Sequence, residues 1–177
     1  VSTVGEQKNK NYALKINEKQ EFIKAVIDGL SAPPKYFFDD VMLNKNGYKS
    51  AQGIISKGLT SLSADEVKKQ LANGAILIDA RPVGIFEHGF IPNSISIGLD
   101  GTFAIWAASL IPLSKTIVLL TTQGEELIAV KRLMRVGFEN IAGVLSGGTE
   151  SWVSGGNSLN TIDSINPNEF VSSLEGK

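Results

Sequence analysis

The 177-residue sequence contains no cysteine and a single histidine, His88. The first absence excludes a disulfide scaffold, a thiolate metal site and any cysteine nucleophile. The second excludes a zinc or iron centre built on several histidines. No apolar run approaches the roughly 20 residues that cross a bilayer. Neither sign of charge dominates: 17 basic and 18 acidic residues leave a formal net charge of −1, with no basic cluster. Neither nucleic acid nor a membrane is therefore expected as a partner. What is present, 42% hydrophobic and 20% charged residues, is the composition of a folded chain rather than a disordered one. One domain, or one domain with an appendage, is expected at this length. The opening Val1-Ser2-Thr3-Val4-Gly5 has neither a basic nor an apolar leader pattern and no initiator methionine. It reads as a piece of something longer or a processed chain, in the cytoplasm.

Residues 1–15 are polar without a clear period. Asn17, with Gln20 three positions on, is a candidate helix cap. Phe22, Val26 and Leu30 share one apolar stripe, predicting a helix over 17–30 that Pro33 and Pro34 stop. Tyr36, Phe37 and Phe38 follow, and the polar run from Asn44 makes residues 44–56 a linker.

From about residue 57 strand and helix patterns alternate. Ser63 and Glu66 form a capping box opening a helix with Val67 and Leu71 inward, ended by Asn73-Gly74. Residues 75–78 and 94–98 are strand candidates, and 102–110 suit a short helix around Phe103, Ile105, Trp106 and Leu110. Residues 116–120 form the strongest strand. The helix over 125–136 turns Leu127, Val130, Leu133 and Met134 inward, and a last strand covers 140–145. Gly147-Gly148 then turns into a short helix holding Trp152. This alternation predicts an α/β fold with a central, mainly parallel five-stranded sheet flanked by helices, plus an N-terminal helical segment.

One pattern repeats. Ser61-Leu62-Ser63-Ala64-Asp65-Glu66-Val67, with Leu71, corresponds to Ser164-Ile165-Asn166-Pro167-Asn168-Glu169-Phe170, with Leu174, each position 103 further on. Each copy has an apolar residue, a cap, an acid at the third helical position and two apolar residues four apart. Pro167 takes the first helical position, where its missing N–H costs nothing. The repeat is either chance likeness between two capped helices or the start of a second domain of the same kind.

Three stretches together resemble a rhodanese-like domain. They are Leu77-Ile78-Asp79-Ala80-Arg81 with Phe86 and Ile91-Pro92-Asn93-Ser94-Ile95; Ile117–Leu120 with the loop Thr121–Glu126; and Gly137-Phe138-Glu139-Asn140-Ile141 with Gly147, Gly148 and Trp152. The resemblance covers residues 57–156. It implies that residues 121–126 stand where active members carry a loop opened by a persulfide-bearing cysteine. Here that position is Thr121, and an alcohol cannot hold a transferable sulfur. The loop continues Thr122, Gln123, Gly124, Glu125, and Glu126 replaces the family's arginine. Two carboxylates there would satisfy the helix dipole and repel an anion. The family's histidine after glycine is Phe90, while His88 precedes Gly89.

The bland reading is preferred for most candidate residues. Asp79 and Arg81 are either a catalytic acid and an anion clamp or a structural pair holding a turn. His88 is either a general base or a locally bonded surface residue. Thr121 and Thr122 lack an evident activating base. Trp106 and Trp152 suit packing, and Gly147-Gly148 a tight turn. No residue is assigned as catalytic or as a metal ligand; residues 121–126 form a vestigial loop supported by Asp79 and Arg81.

Tyr12-Ala13-Leu14, the 17–30 helix, Pro33-Pro34, Tyr36-Phe37 and Met42, Asn44 and Gly47 resemble the end of a metallo-β-lactamase-fold domain of the kind fused to rhodanese domains in persulfide-dioxygenase-like proteins. The resemblance implies residues 1–43 as that domain's tail, 44–56 as linker, 57–156 as the rhodanese-like domain and 160–177 as the start of a second. It implies no cofactor in this chain, any metal belonging to the missing N-terminal domain. Phe22, Val26, Leu30, Phe37, Phe38 and Met42 need cover, at roughly 1.5–3 kcal/mol per buried side chain. Packing on fusion-partner domains or a homodimer through the N-terminal helix segment is expected. The expected function is a catalytically inactive domain with a structural, regulatory or interaction role. The alternatives are a sulfurtransferase or other small enzyme using the 121–126 loop with Asp79 and Arg81, and a module binding a cationic group through Glu125 and Glu126.

Overall fold

Side chains along Ile117-Val118-Leu119-Leu120 point alternately to opposite faces of a strand, and all four are apolar, so both faces must be covered. A computed structural model describes residues 2–30, 33, 36–47 and 49–175. In it the strands β1 (Ser61–Leu62), β2 (Ile76–Asp79), β3 (Ile95–Ser96), β4 (Ile117–Leu120) and β5 (Ile141–Leu145) form one sheet. The order is β1-β5-β4-β2-β3 and every pairing is parallel. Ile117 and Leu119 of β4 and Ile78 of β2 enter one core with Phe103, Val130, Leu133 and Phe138. Val118, Leu120 and Leu77 enter the other with Val67, Ile91 and Trp152.

The chain divides into two compact units, 1–33 and 34–177. In the first, α1 (Val4–Lys10) and α2 (Lys19–Ile27) flank a short 3₁₀ turn, Ala13–Lys15. The second contains, besides the sheet, α3 (Phe37–Asn46), α4 (Ala51–Gly58), α5 (Ala64–Ala72), α6 (Val83–Phe86), α7 (Phe103–Leu110), α8 (Glu126–Arg135), α9 (Gly148–Ser154) and α10 (Pro167–Glu175).

Several sequence expectations change. Residues 1–15 contain α1, opened by a Thr3–Glu6 capping box that polar composition concealed. The cap of α2 is Glu18, whose carboxylate accepts from the Gln20 amide at 2.6 Å, and not Asn17. The helix ends at Ile27, before Gly29 at positive φ, rather than at the prolines; Pro34 lies outside the described residues. The expected linker over 44–56 is largely helical. Asn44–Asn46 close α3, and α4 begins at Ala51 with Ile54 buried in the first core. Gly58 makes this packing possible: a Cβ there would meet the Val130 side chain at 2.8 Å. Leu127 faces outward, and Ala129, Val130 and Leu133 form the buried face of α8.

The second close approach is at Gly143 (φ 153°), where a Cβ would collide with the Thr60 carbonyl oxygen. That oxygen accepts from the Val144 amide at 2.9 Å. Register also shifts here against β4, between Ile117 and Val118, consistent with glycine at a bulge.

The repeated capping pattern is present in both helices. The Glu66 amide donates to Ser63 Oγ at 3.3 Å, and the Ser63 amide to Glu66 Oε2 at 2.8 Å. The Glu169 amide donates to Asn166 Oδ1 at 3.0 Å, and the Asn166 amide to Glu169 Oε2 at 2.9 Å. The outcomes differ: Val67 is fully buried, whereas its counterpart Phe170 is 52% exposed.

Two measurements check this. Val67→Ala is expected to lower the unfolding free energy by about 2 kcal/mol, and Phe170→Ala to change it by no more than about 0.5 kcal/mol; urea denaturation reads both. Hydrogen bonds from the Ser63 backbone and hydroxyl hold the Glu66 carboxyl below its ordinary value of 4.5. The carboxylate's contribution to stability is therefore complete above the unfolded-state pKa and is lost as pH falls through the lower folded value. The stability advantage over Glu66→Gln should shrink on acidification below about 4.5.

Candidate functional site

A parallel sheet brings the carboxyl ends of its strands to one edge, where the following loops meet. Here β2 delivers Asp79 and Arg81, β4 delivers Thr121–Glu126 and β5 delivers Ser146–Glu150. A groove of about 780 Å³ lies among them, lined by Arg81, Thr121, Thr122, Gln123, Glu126 and the Ser146–Glu150 turn, with Leu59 and Ile85 also on its walls.

Asp79 is fully buried and Arg81 nearly so. Arg81 Nε donates to Asp79 Oδ1 at 2.9 Å and Nη2 to Oδ2 at 2.6 Å, a bidentate pair. The Arg81 amide also donates to Oδ1, at 3.1 Å. The guanidinium further donates to the Gly89 carbonyl at 2.9 Å and to Thr149 Oγ1 at 3.4 Å. One cation thus ties the end of β2 to the loop after α6 and to the first turn of α9. Its charge is matched by Asp79 before anything enters the groove.

Thr121 is nine-tenths buried, and its Oγ1 has no hydrogen-bond partner among the described residues. Beyond it the loop closes on itself. The Glu125 amide donates to the Thr122 carbonyl at 3.1 Å. The Gly124 amide, with Gly124 at φ 91°, donates to Glu126 Oε1 at 3.1 Å. Glu126, the first residue of α8, therefore uses a loop N–H that an anion would otherwise take, and its charge opposes the positive end of the helix dipole.

The structure brings Arg81, Thr121, Thr122, Gln123 and Glu126 to one groove. Glu125, expected to act with Glu126, does not line it; it stands at the N-cap position of α8 with no side-chain hydrogen bond to the helix. Glu150 does line it. The Gly147-Gly148 turn, with both residues at positive φ, carries Thr149 and Glu150 in, a role its sequence hinted at only through the polar pair after two glycines. His88 stands apart from the lining, its Nδ1 donating to the Gly84 carbonyl at 2.7 Å. Trp152 is core; Trp106 is exposed. Among the described residues there is no group of three or more His, Asp or Glu side chains placed to hold a metal, and no helix is long and apolar enough to cross a membrane.

Comparison with known proteins adds three findings. The family model described as "Rhodanese-like domain" matches residues 63–155. Among solved structures, the Alr3790 protein from Anabaena sp. is 24% identical with a TM-score of 0.52, over 57% of this chain and 92% of that one. A metallo-beta-lactamase from Staphylococcus aureus subsp. aureus COL is 24% identical with a TM-score of 0.62, over 81% of this chain and 38% of that one. At these identities both are likenesses of fold. No curated protein matches the chain in sequence.

The geometry predicts opposite effects at two buried polar residues. Arg81→Ala leaves the Asp79 carboxylate buried without its partner and should cost about 3–5 kcal/mol of stability. Thr121→Val keeps the shape and removes an unpaired hydroxyl, and should raise stability by about 1 kcal/mol. Chemical denaturation of the two variants beside the parent chain measures both.

Proposed function

The chain belongs to the rhodanese-like domain family, and from that premise we propose that it is a catalytically silent member with a structural, regulatory or interaction role. The observation that carries this reading is the loop after β4. Sulfur transfer in the family, as the resemblance implies, needs a cysteine at the position of Thr121 and a cradle of free N–H groups for an anion. The sequence has no cysteine, and the Gly124 amide is already bonded to Glu126. The thiolate is both a strong nucleophile and able to carry a sulfane sulfur; a threonine hydroxyl is neither. Asp79 and Arg81, the other candidates for chemistry, are buried and bonded to one another.

The same proposal places the domain in a longer protein containing a metallo-β-lactamase fold. Its support is the reach of the Staphylococcus aureus likeness, 81% of this chain, well beyond the 63–155 span of the family match. Residues 1–43 are then the tail of that domain and 57–156 the rhodanese-like domain. Residues 160–177 open a second rhodanese-like unit, whose support is the shared capping box of α5 and α10. The parent protein would be a metal-dependent hydrolase or a persulfide-processing enzyme, working in the cytoplasm, with its metal held outside this chain. Phe22, Val26, Leu30, Phe37, Phe38 and Met42, all solvent-exposed in the chain by itself, suit an interface with those neighbouring domains or with a second copy.

A thiosulfate:cyanide sulfurtransferase assay tests the central reading. The chain should give no thiocyanate above the uncatalysed rate. Turnover by the unmutated chain would overturn the proposal in favour of an unusual enzyme. Thr121→Cys alone should remain far below an active sulfurtransferase, because Glu126 still occupies the loop amide; adding Glu126→Arg to it should raise the rate.

A further inference from the structure

In an Asn-Gly pair the backbone nitrogen of the glycine can attack the side-chain carbonyl of the asparagine, because no Cβ shields that nitrogen. The pair occurs twice, at Asn46-Gly47 and Asn73-Gly74. The two share a layout: an asparagine at the C-terminal end of a helix, then a glycine at positive φ, 85° for Gly47 and 84° for Gly74. All four residues are exposed. A Cβ on either glycine would meet nothing within 4 Å. Neither crowding nor solvent access distinguishes the two sites.

Their amide nitrogens do. The Gly74 amide donates to the Leu71 carbonyl at 2.9 Å, and the Ala75 amide to the Gln70 carbonyl at 3.0 Å. This is the double closure of a Schellman cap, and the Asn73 amide is held as well, by the Lys69 carbonyl at 3.1 Å. The nucleophile at this site is tied to its own helix. The Gly47 amide, by contrast, has no backbone hydrogen-bond partner among the described residues. Asn46 is the last residue of α3, so its side chain can swing over the Gly47 nitrogen without first breaking a backbone bond at that nitrogen.

We propose that Asn46-Gly47 is a self-modification site that deamidates in the folded chain, while Asn73-Gly74 is protected by its cap. The Gly47 nitrogen forms a bond to Asn46 Cγ and gives its proton to solvent, and the side-chain nitrogen leaves as ammonia. Water then opens the cyclic imide at either carbonyl, which yields aspartate or isoaspartate. Water is the only co-reactant, and nothing is oxidised or reduced. The product carries a new carboxylate at the C-terminal end of α3, where the helix dipole is already negative. Asn46 and Glu139 line one cleft of about 480 Å³, so the charge enters beside the carboxylate that accepts from the Lys49 amide at 2.8 Å. The isoaspartyl form also lengthens the main chain by one atom just before that anchor. The proposal is independent of the reading of the domain as catalytically silent.

The test is a timed incubation of the full chain in warm, mildly alkaline buffer, once folded and once in denaturing urea. Peptide mass spectrometry follows the amide-to-acid conversion at both sites, and an isoaspartyl methyltransferase with labelled methyl donor counts isoaspartate. In the folded chain Asn46 should convert about tenfold faster than Asn73, the factor expected when a step must first open one or two hydrogen bonds. Its product should be a mixture of aspartate and isoaspartate, the mark of the imide. In urea the cap is lost and the two rates should converge. An acidic charge variant should accumulate on anion exchange as the folded chain ages, and Asn46→Gln, a change at an exposed position, should remove most of it. Equal rates in the folded chain, faster conversion at Asn73, aspartate as the sole product at Asn46, or a rate ratio unchanged by urea would each overturn the proposal.

Discussion

The buried pair between Asp79 and Arg81 sets the geometry of the sheet's functional edge. Desolvating both ions costs several kcal/mol each, and only a pair with its other donors and acceptors satisfied recovers that cost. Here the recovery is nearly complete. Both carboxylate oxygens accept from the guanidinium, one accepts also from the Arg81 amide, and the outer guanidinium nitrogens reach Gly89 and Thr149. The end of β2, a loop eight residues on and a turn 68 residues on are thereby joined at one charge. Because the charge is spent on holding the loops, it is not available to a ligand. The interaction that builds the site also removes the attraction that the Arg81 guanidinium would otherwise offer an anion.

The character of the groove follows from that neutrality together with the loop after β4. Thr121 puts an alcohol at the start of that loop, and the proposal of a silent domain rests on it. The Glu126 carboxylate accepts from the Gly124 amide, and its charge lies over the N-terminus of α8.

The centre of the sheet was legible in the sequence because β2, β4 and β5 are short, largely buried apolar runs, and because α5 and α8 carry clear helical periodicity; β1, two residues with Ser61 exposed, has no such run and was not read as a strand. The loop that opens at Thr121 was legible as the segment after the strongest strand. What escaped notice has particular physical causes. α1 has no apolar face, so only its Thr3–Glu6 cap marked it. α4 followed a polar turn, and its one fully committed core residue, Ile54, stood alone in a stretch read as linker. Leu127 and Val130 have the right spacing to share a face, but the buried face of α8 runs through Ala129, Val130 and Leu133, which leaves Leu127 outside. Glu150 could not be assigned to the site, because its place there depends on the left-handed turn at Gly147 and Gly148, a tertiary consequence of local geometry.

The two capped helices show how far such local signals reach. A capping box fixes where a helix begins and is worth about 0.5–2 kcal/mol, yet a nine-residue helix is marginal in water on that account alone. α5 is secured because Val67 is buried under the sheet; α10 has the same cap and an exposed apolar pair, Phe170 and Leu174. Its register with α5 extends from the serine before the cap to the second apolar position. The likeness of α10 to α5 thus lies in cap and pattern and not in burial, and it is on that pattern that the proposed second unit rests.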